Sequence, residues 1–241
     1  MNSINPLKVF VVGATGFCGT AVCTALQQHP KFHPIAHIRT QSTRPQQKAY
    51  FLEQNIEIMQ FPWEEMGEKI LQIQPNIICS FLGTTQKDMK QYGGDYQSID
   101  YGLNSQLLQI SEKLPIPPLW LYLSSSGAQW GKWSSYLKAR WMFEKDLALS
   151  KCPSIVLRPK LLTGQTRFPQ RNSEAKANEI LQVLCDFTDA LHLNWIGNNI
   201  RPLDAPDVAK VVIRLLSQYS QGSQPSQQIF ELSQMHQINQ S

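Results

Sequence analysis

Three glycines carry the plainest chemical signal in this chain. Gly13, Gly16 and Gly19 recur at three-residue intervals, just after the apolar run VFVV at 9–12 and just before an apolar-periodic stretch at 17–26. A strand, a tight turn and a helix in that order make such spacing a main-chain cradle for a diphosphate. Gly13 allows the bend, Gly16 lets the backbone approach a pyrophosphate, and Gly19 lets the helix pack against the strand. Ala14, Thr15, Phe17 and Cys18 complete the turn, whose N–H groups and positive dipole end face the phosphates.

A second signal stands at Arg39, which ends the apolar segment 34–38. In a dinucleotide fold this strand end faces the adenosine ribose, where a carboxylate binds the 2′-hydroxyl and an arginine accommodates a 2′-phosphate. Arg39 and nearby Arg44, without Asp or Glu at the strand end, point to NADP(H) rather than NAD. His37 reads as a packed or edge histidine, and His29 and His33 as surface-loop residues without metal spacing.

Two polar clusters also end apolar strands. The run 77–82 leads into Gly83-Thr84-Thr85, and the run 119–123 leads into Ser124, Ser125 and Ser126. Tyr136 then opens a helix expected over 136–149. Arg140 lies four residues on and shares the helix face of Tyr136, whereas Lys138 points away. Pro159 ends the segment 154–159 and fixes a rigid turn.

The glycine spacing, SFLGTT at 80–85, the serine cluster and LRP at 157–159 occur in an order that resembles the extended and atypical branches of the short-chain dehydrogenase/reductase family. Within it, SFLGTT looks like the corresponding segment of the Tat-interacting-protein-like NAD(P)H-binding oxidoreductases. The likeness runs over 9–232. It implies a Rossmann-type α/β fold: a doubly wound parallel sheet with helices on both faces and a small carboxyl-terminal region covering the substrate.

By this resemblance a serine hydroxyl binds the substrate carbonyl, and Tyr136 donates a proton to the developing alkoxide as nicotinamide delivers hydride. Comparison with the Tat-interacting relatives selects Ser125, and comparison with sugar epimerases selects Ser126. Leu82, Gly83 and Thr84 would line the cofactor, and the main chain from Pro159 to Leu161 would approach the nicotinamide carboxamide. The family pattern Tyr-x-x-x-Lys is broken here by Arg140. Its planar guanidinium does not reproduce a compact ammonium, although it could bind the nicotinamide ribose and favour tyrosinate. Two readings therefore stand: an NADP-dependent reductase of a small carbonyl, and an NADP(H)-binding regulator or adaptor with little turnover.

The remaining chain supplies the frame. A third strand is expected over 56–61, helices over 63–73 and 96–114, and a segment 87–94 that forms a mobile loop. Asp204 should cap a helix whose buried stripe is Val208, Val211, Val212, Leu215 and Leu216. A last strand is expected at 229–232, with a loosely held tail over 233–241. The region 163–199, with a helix over 174–191 and Arg167, Phe168, Arg171 and Trp195, is the candidate substrate cover. Trp130 and Trp133 read equally as pocket wall or packed loop.

At 241 residues and 42% hydrophobic composition, one globular domain over 1–241 is expected, with no disorder signature. No apolar run reaches the roughly 18 residues of a membrane span, and the first six residues lack the features of a secretory signal. The resulting expectation is a cytoplasmic protein. A net charge of +4 suits an anionic cofactor but supplies no concentrated nucleic-acid patch. The five cysteines show no metal spacing and read as buried thiols. A small-molecule substrate, with a homodimer or protein partner, completes the expectation.

Overall fold

The computed structural model describes residues 5–40, 45–85, 89–90, 93–160, 162–163, 202–219 and 227–240. Its centre is a seven-stranded sheet in the order β3-β2-β1-β4-β5-β6-β9, with every neighbouring pair parallel. The strands are β1 (Leu7–Val12), β2 (Phe32–Ile38), β3 (Glu57–Gln60), β4 (Ile77–Ser80), β5 (Leu119–Leu123), β6 (Ser154–Arg158) and β9 (Gln227–Glu231). A separate parallel pair joins β7 (Leu162–Thr163) to β8 (Leu203–Asp204).

Side-chain alternation along the central strands builds two cores. Val9, Val11, Cys79, Leu119 and Leu121 join the cluster that covers one face, while Phe10, Val12, Ile78, Trp120 and Tyr122 join the other. Strands apolar on both faces need helices on both sides. The first core receives α1 (Phe17–Gln27), α6 (Ala205–Tyr219) and α7 (Leu232–Gln240). The second receives α3 (Met66–Ile73), α4 (Asn104–Ser111) and α5 (Ser135–Leu149). The doubly wound parallel sheet expected from the motifs is the fold observed.

Several boundaries moved. The helix α2 (Pro45–Glu53) lies where no element was expected; its weak amphipathic pattern buries Phe51 fully and presents Tyr50 to Thr24 at 3.1 Å. His33 belongs to β2 rather than a loop, and pairs with Glu57 on β3 at 2.6 Å. The supposed tail is α7, which buries Leu232, Met235 and His236. Met89 and Gly93 bond backward to Thr85 and Met89, so the described parts of 87–94 include a helical turn.

The helix expected over 96–114 is π-helical over Gln97–Leu103 before it becomes α4. The side-chain Nδ2 of Asn104 donates to the Asp100 carbonyl at 2.8 Å, the acceptor that the Asn104 amide would take in a regular helix. A side chain inserted into the ladder widens the turn. As a result Asp100 and Asn104 are fully buried, and the inner face is shifted from the apolar positions Ile99 and Leu103.

Candidate active site

The corner between β1 and α1 is built from main chain. Gly13 has φ +72°, and a Cβ there would lie 2.6 Å from the Phe81 carbonyl carbon. Both the conformation and the close approach of the β4 loop require glycine. Among the described residues, chain neighbours aside, only the Gly13 carbonyl, at 3.1 Å, would lie within 4 Å of a Cβ at Gly16. This leaves the space a diphosphate needs. α1 starts without a side-chain cap and without an acidic residue in its first turn, which suits an anion at its amino end. Gly19 differs from expectation in its reason: a side chain there would overlap the Gly13 carbonyl, so the turn folding onto the helix demands it. Ala14 and Cys18 are buried and anchor the turn in the core.

Arg39 follows the last residue of β2, beside the β1 turn, and is exposed. One residue earlier, His37 is buried and its Nε2 lies 3.1 Å from the Phe61 carbonyl. Burial, aided by the Arg39 charge and opposed by that hydrogen bond, lowers its pKa to about 4. The neutral ring is a packed strand residue. It donates to the carbonyl.

Beyond β4, the 80–85 loop meets α5 through a buried charge cluster. Arg140 on α5 donates through Nη1 to the Leu123 carbonyl at 2.8 Å and to the Tyr122 hydroxyl at 3.2 Å. Its Nη2 lies 2.8 Å from Asp100 Oδ1. That oxygen makes no well-aligned hydrogen bond among the described residues, so the contact is ionic rather than a directed bond. The other oxygen, Oδ2, accepts the Thr84 amide at 3.0 Å. Burial raises the Asp100 pKa, while Arg140 and the Thr84 amide oppose the rise. For Arg140, burial acts against the charge, but Tyr122, Tyr136 and Asp100 outweigh it and its pKa is raised.

Tyr136 is half-buried on the first turn of α5. The Arg140 guanidinium carbon lies 5.2 Å from its ring centroid, and Tyr96 packs edge-on at 5.3 Å. A Cβ at Gly83 would overlap Arg140 Nη2, so this glycine makes room for the guanidinium. Lys138 is exposed, as its i+2 position requires. Leu82 packs against the second core, and Thr84 is half-buried at the loop's edge.

The three serines are not equivalent. Ser124 is buried and donates to Glu144 Oε1, and Arg158 grips the same carboxylate, with Nη2 2.5 Å from Oε2. It is occupied by structure. Ser125 and Ser126 remain half-buried at the carboxyl edge of β5; the Ser126 amide donates to the Pro159 carbonyl at 2.9 Å. That bond links the serine turn to the end of β6, where Pro159 is buried.

Thus Gly13, Gly16, Arg39, Leu82, Gly83, Thr84, Ser125, Ser126, Tyr136, Arg140 and Pro159 all lie on elements leaving the same carboxyl edge of the sheet. Sequence reading missed Asp100, Tyr96 and Tyr122. The available signal was slight: Arg140 falls on the buried stripe of its helix, but Asp100 reaches the sheet only through the π-helical turn. Leu161, Arg44, Cys185, the helix expected over 174–191 and the cover residues Arg167, Phe168, Arg171 and Trp195 lie outside the described residues, as does the Trp133 side chain. Trp130 is 68% exposed. No helix among the described residues is long and apolar enough to cross a membrane.

Solved structures share this fold. UDP-glucose 4-epimerase from Brucella ovis, in complex with NAD, superposes with a TM-score of 0.65 at 12% identity, over 96% of this chain and 81% of that one. UDP-glucuronic acid 4-epimerase from Bacillus cereus, in complex with NAD, gives 0.60 at 15% identity, over 97% and 90%. Among curated relatives, the mitochondrial protein FMP52 of Candida albicans is 24% identical over 208 residues, 86% of each chain. Its Aspergillus fumigatus counterpart, also named mitochondrial, is 26% identical over 194 residues, 78% of this chain and 80% of the relative.

These relatives overturn the cytoplasmic expectation, because their names point to the mitochondrion. The lack of a secretory hydrophobic segment excluded only one kind of targeting, and organelle import uses different signals. The profile of the NAD-dependent epimerase/dehydratase family matches residues 9–231, and that family is nicotinamide-dinucleotide binding. With the glycine corner, the parallel sheet and this match in place, the chain belongs to the NAD-dependent epimerase/dehydratase family.

Proposed function

We propose that this protein is an NADP-dependent oxidoreductase that reduces a small carbonyl compound, within the atypical branch suggested by SFLGTT. The observation that carries the reading is the exposed Arg39 beside a glycine corner shaped for a diphosphate. At that strand end an arginine favours the phosphorylated ribose. Gly13, Gly16 and the start of α1 would hold the diphosphate, and Leu82 to Thr84 would flank the dinucleotide. A bound nicotinamide supplies hydride. Ser125 or Ser126 orients the substrate carbonyl, and Tyr136 gives its phenolic proton to the carbonyl oxygen as negative charge develops there. The NAD of the sugar epimerase structures sits on the same fold but does not decide the coenzyme here.

Titration with NADPH and NADH, followed by a carbonyl panel, tests this reading. NADPH is expected to bind at least tenfold more tightly (about 1.4 kcal/mol), and Arg39→Ala to remove the preference. Tyr136→Phe is expected to lower kcat by about 100-fold or more, the scale of positioned proton transfer. Equal affinity for the two coenzymes would sink the NADP assignment.

The second reading, an NADP(H)-binding regulator or adaptor, is favoured by the engagement of Arg140 with Asp100, Tyr122 and Leu123. Tight NADPH binding with no Tyr136-dependent turnover over the panel selects it. The relatives' names make mitochondria the compartment in which either role is to be sought.

A further inference from the structure

Arg140 stands where the family carries lysine, but it does not stand alone. Its guanidinium is 2.8 Å from a carboxylate that is itself fully buried, on a helix of different sequence origin. The same carboxylate holds the Thr84 amide, and the π-helical turn places it there by shifting the inner face of the helix. We propose that Asp100 is a positioning residue for Tyr136: it anchors Arg140 against that ring, offsets its charge, and ties both to the 80–85 loop through Thr84. This deepens the reading of Tyr136 as proton donor and rests on it.

Geometry gives the reason. A lone buried guanidinium 5.2 Å from the Tyr136 ring centroid would be an uncompensated charge, whereas a carboxylate at 2.8 Å turns the cation into a dipole whose field falls off faster. The guanidinium is also held in place beside that ring, because Tyr122, Leu123 and Asp100 engage its two terminal nitrogens. Among the described residues, the groups facing the pair are Tyr136 on α5, Tyr122 and the Leu123 carbonyl on β5, Tyr96 before the π-helical turn and the Thr84 amide. Gly83 is small because the Arg140–Asp100 pair needs its space.

The test is the ionisation of Tyr136, followed by NMR of ring-labelled tyrosine and assigned by the resonance lost in Tyr136→Phe. In Asp100→Asn the amide oxygen can still accept from Thr84, but the counter-charge is gone. Tyr136 is then expected to titrate about one pH unit lower than in the unmodified protein. In the neutral pair Asp100→Asn with Arg140→Gln, it is expected to return to within about half a unit of the original value, as charges that offset one another are removed together.

An unmoved titration in a folded Asp100→Asn overturns the proposal. So does a double variant displaced by more than about half a unit. If the single variant fails to fold because its arginine is left unpaired, Arg140→Gln decides: it leaves the carboxylate without the cation, so the Tyr136 resonance is expected to titrate about one pH unit higher, and an unmoved titration overturns the proposal. A purely structural Asp100 would lower stability without moving this resonance. NADPH titration beside it keeps the outcomes apart: loss of coenzyme binding in the unmodified protein refutes the oxidoreductase, whereas the Tyr136 titration refutes or supports Asp100.

Discussion

At the scale of single residues, neighbours decide what a side chain does. His37 reads in sequence as a packed or edge strand histidine, and the structure decides for packed: a buried ring beside Phe61, with its carbonyl as partner. Its folded pKa is about 4 against an ordinary 6.5, so between these values the unfolded chain binds more protons. The contribution of His37 to stability is therefore fully present above pH 6.5 and is lost at about 1.4 kcal/mol per pH unit as pH drops toward 4. Urea unfolding at stepped pH should show this slope, and His37→Gln, which cannot titrate, should flatten it. The glycines teach the same lesson. Gly13 was legible because a strand-ending turn demands its freedom, but the need for Gly83 comes from Arg140, which lies 57 residues away.

At the scale of elements, α5 is fastened to the sheet by charge as much as by apolar packing. Glu144 on α5 accepts from Ser124 at the end of β5 and from Arg158 on β6, and Arg158 continues to Glu231 on β9 at 2.9 Å. Glu144 and Arg158 are both buried, so removing Glu144 leaves Arg158 with only the half-exposed Glu231 to offset its charge. Glu144→Ala should cost about 3–5 kcal/mol in denaturant unfolding; a loss below about 1 kcal/mol would show that solvent reaches and rescues Arg158. The helix itself was expected over 136–149, and the structure adds its cap, the Ser134 side chain accepting from the Leu137 amide. The carboxylate network was not, because helix periodicity identifies a buried face without naming which strand residue meets it. The same ignorance hid the π-helical turn. A period of 3.6 cannot anticipate an asparagine side chain taking a main-chain acceptor.

At the scale of the whole molecule, the carboxyl edge of one parallel sheet gathers the glycine corner, the 80–85 loop, the serine turn and the start of α5. Binding there couples to the stability of the entire domain. If the oxidoreductase reading holds, NADPH at about 100 times its Kd should stabilise the protein by about 2.7 kcal/mol. Gly13→Ala should abolish that gain and lower the melting temperature without ligand, since its Cβ would sit 2.6 Å from the Phe81 carbonyl carbon. A thermal shift that persists in Gly13→Ala would place the coenzyme elsewhere. The terminal segment shows how global packing overrides local reading: polar and unremarkable in sequence, it folds as α7 because the first core offers a seat for Met235.

The amino-acid order by itself determined the βα corner, the parallel α/β sheet and the strand ends where polar residues collect. Those features follow from short-range rules: glycine's dihedral freedom, apolar runs covered on both faces, and helix spacing. Only the tertiary structure decided that Ser124 is spent on Glu144, that Glu144 belongs to Arg158, and that Arg140 belongs to Asp100. Each of these joins segments distant in sequence, and a charge carries no mark of its partner until folding brings the two together and excludes the water that screened them.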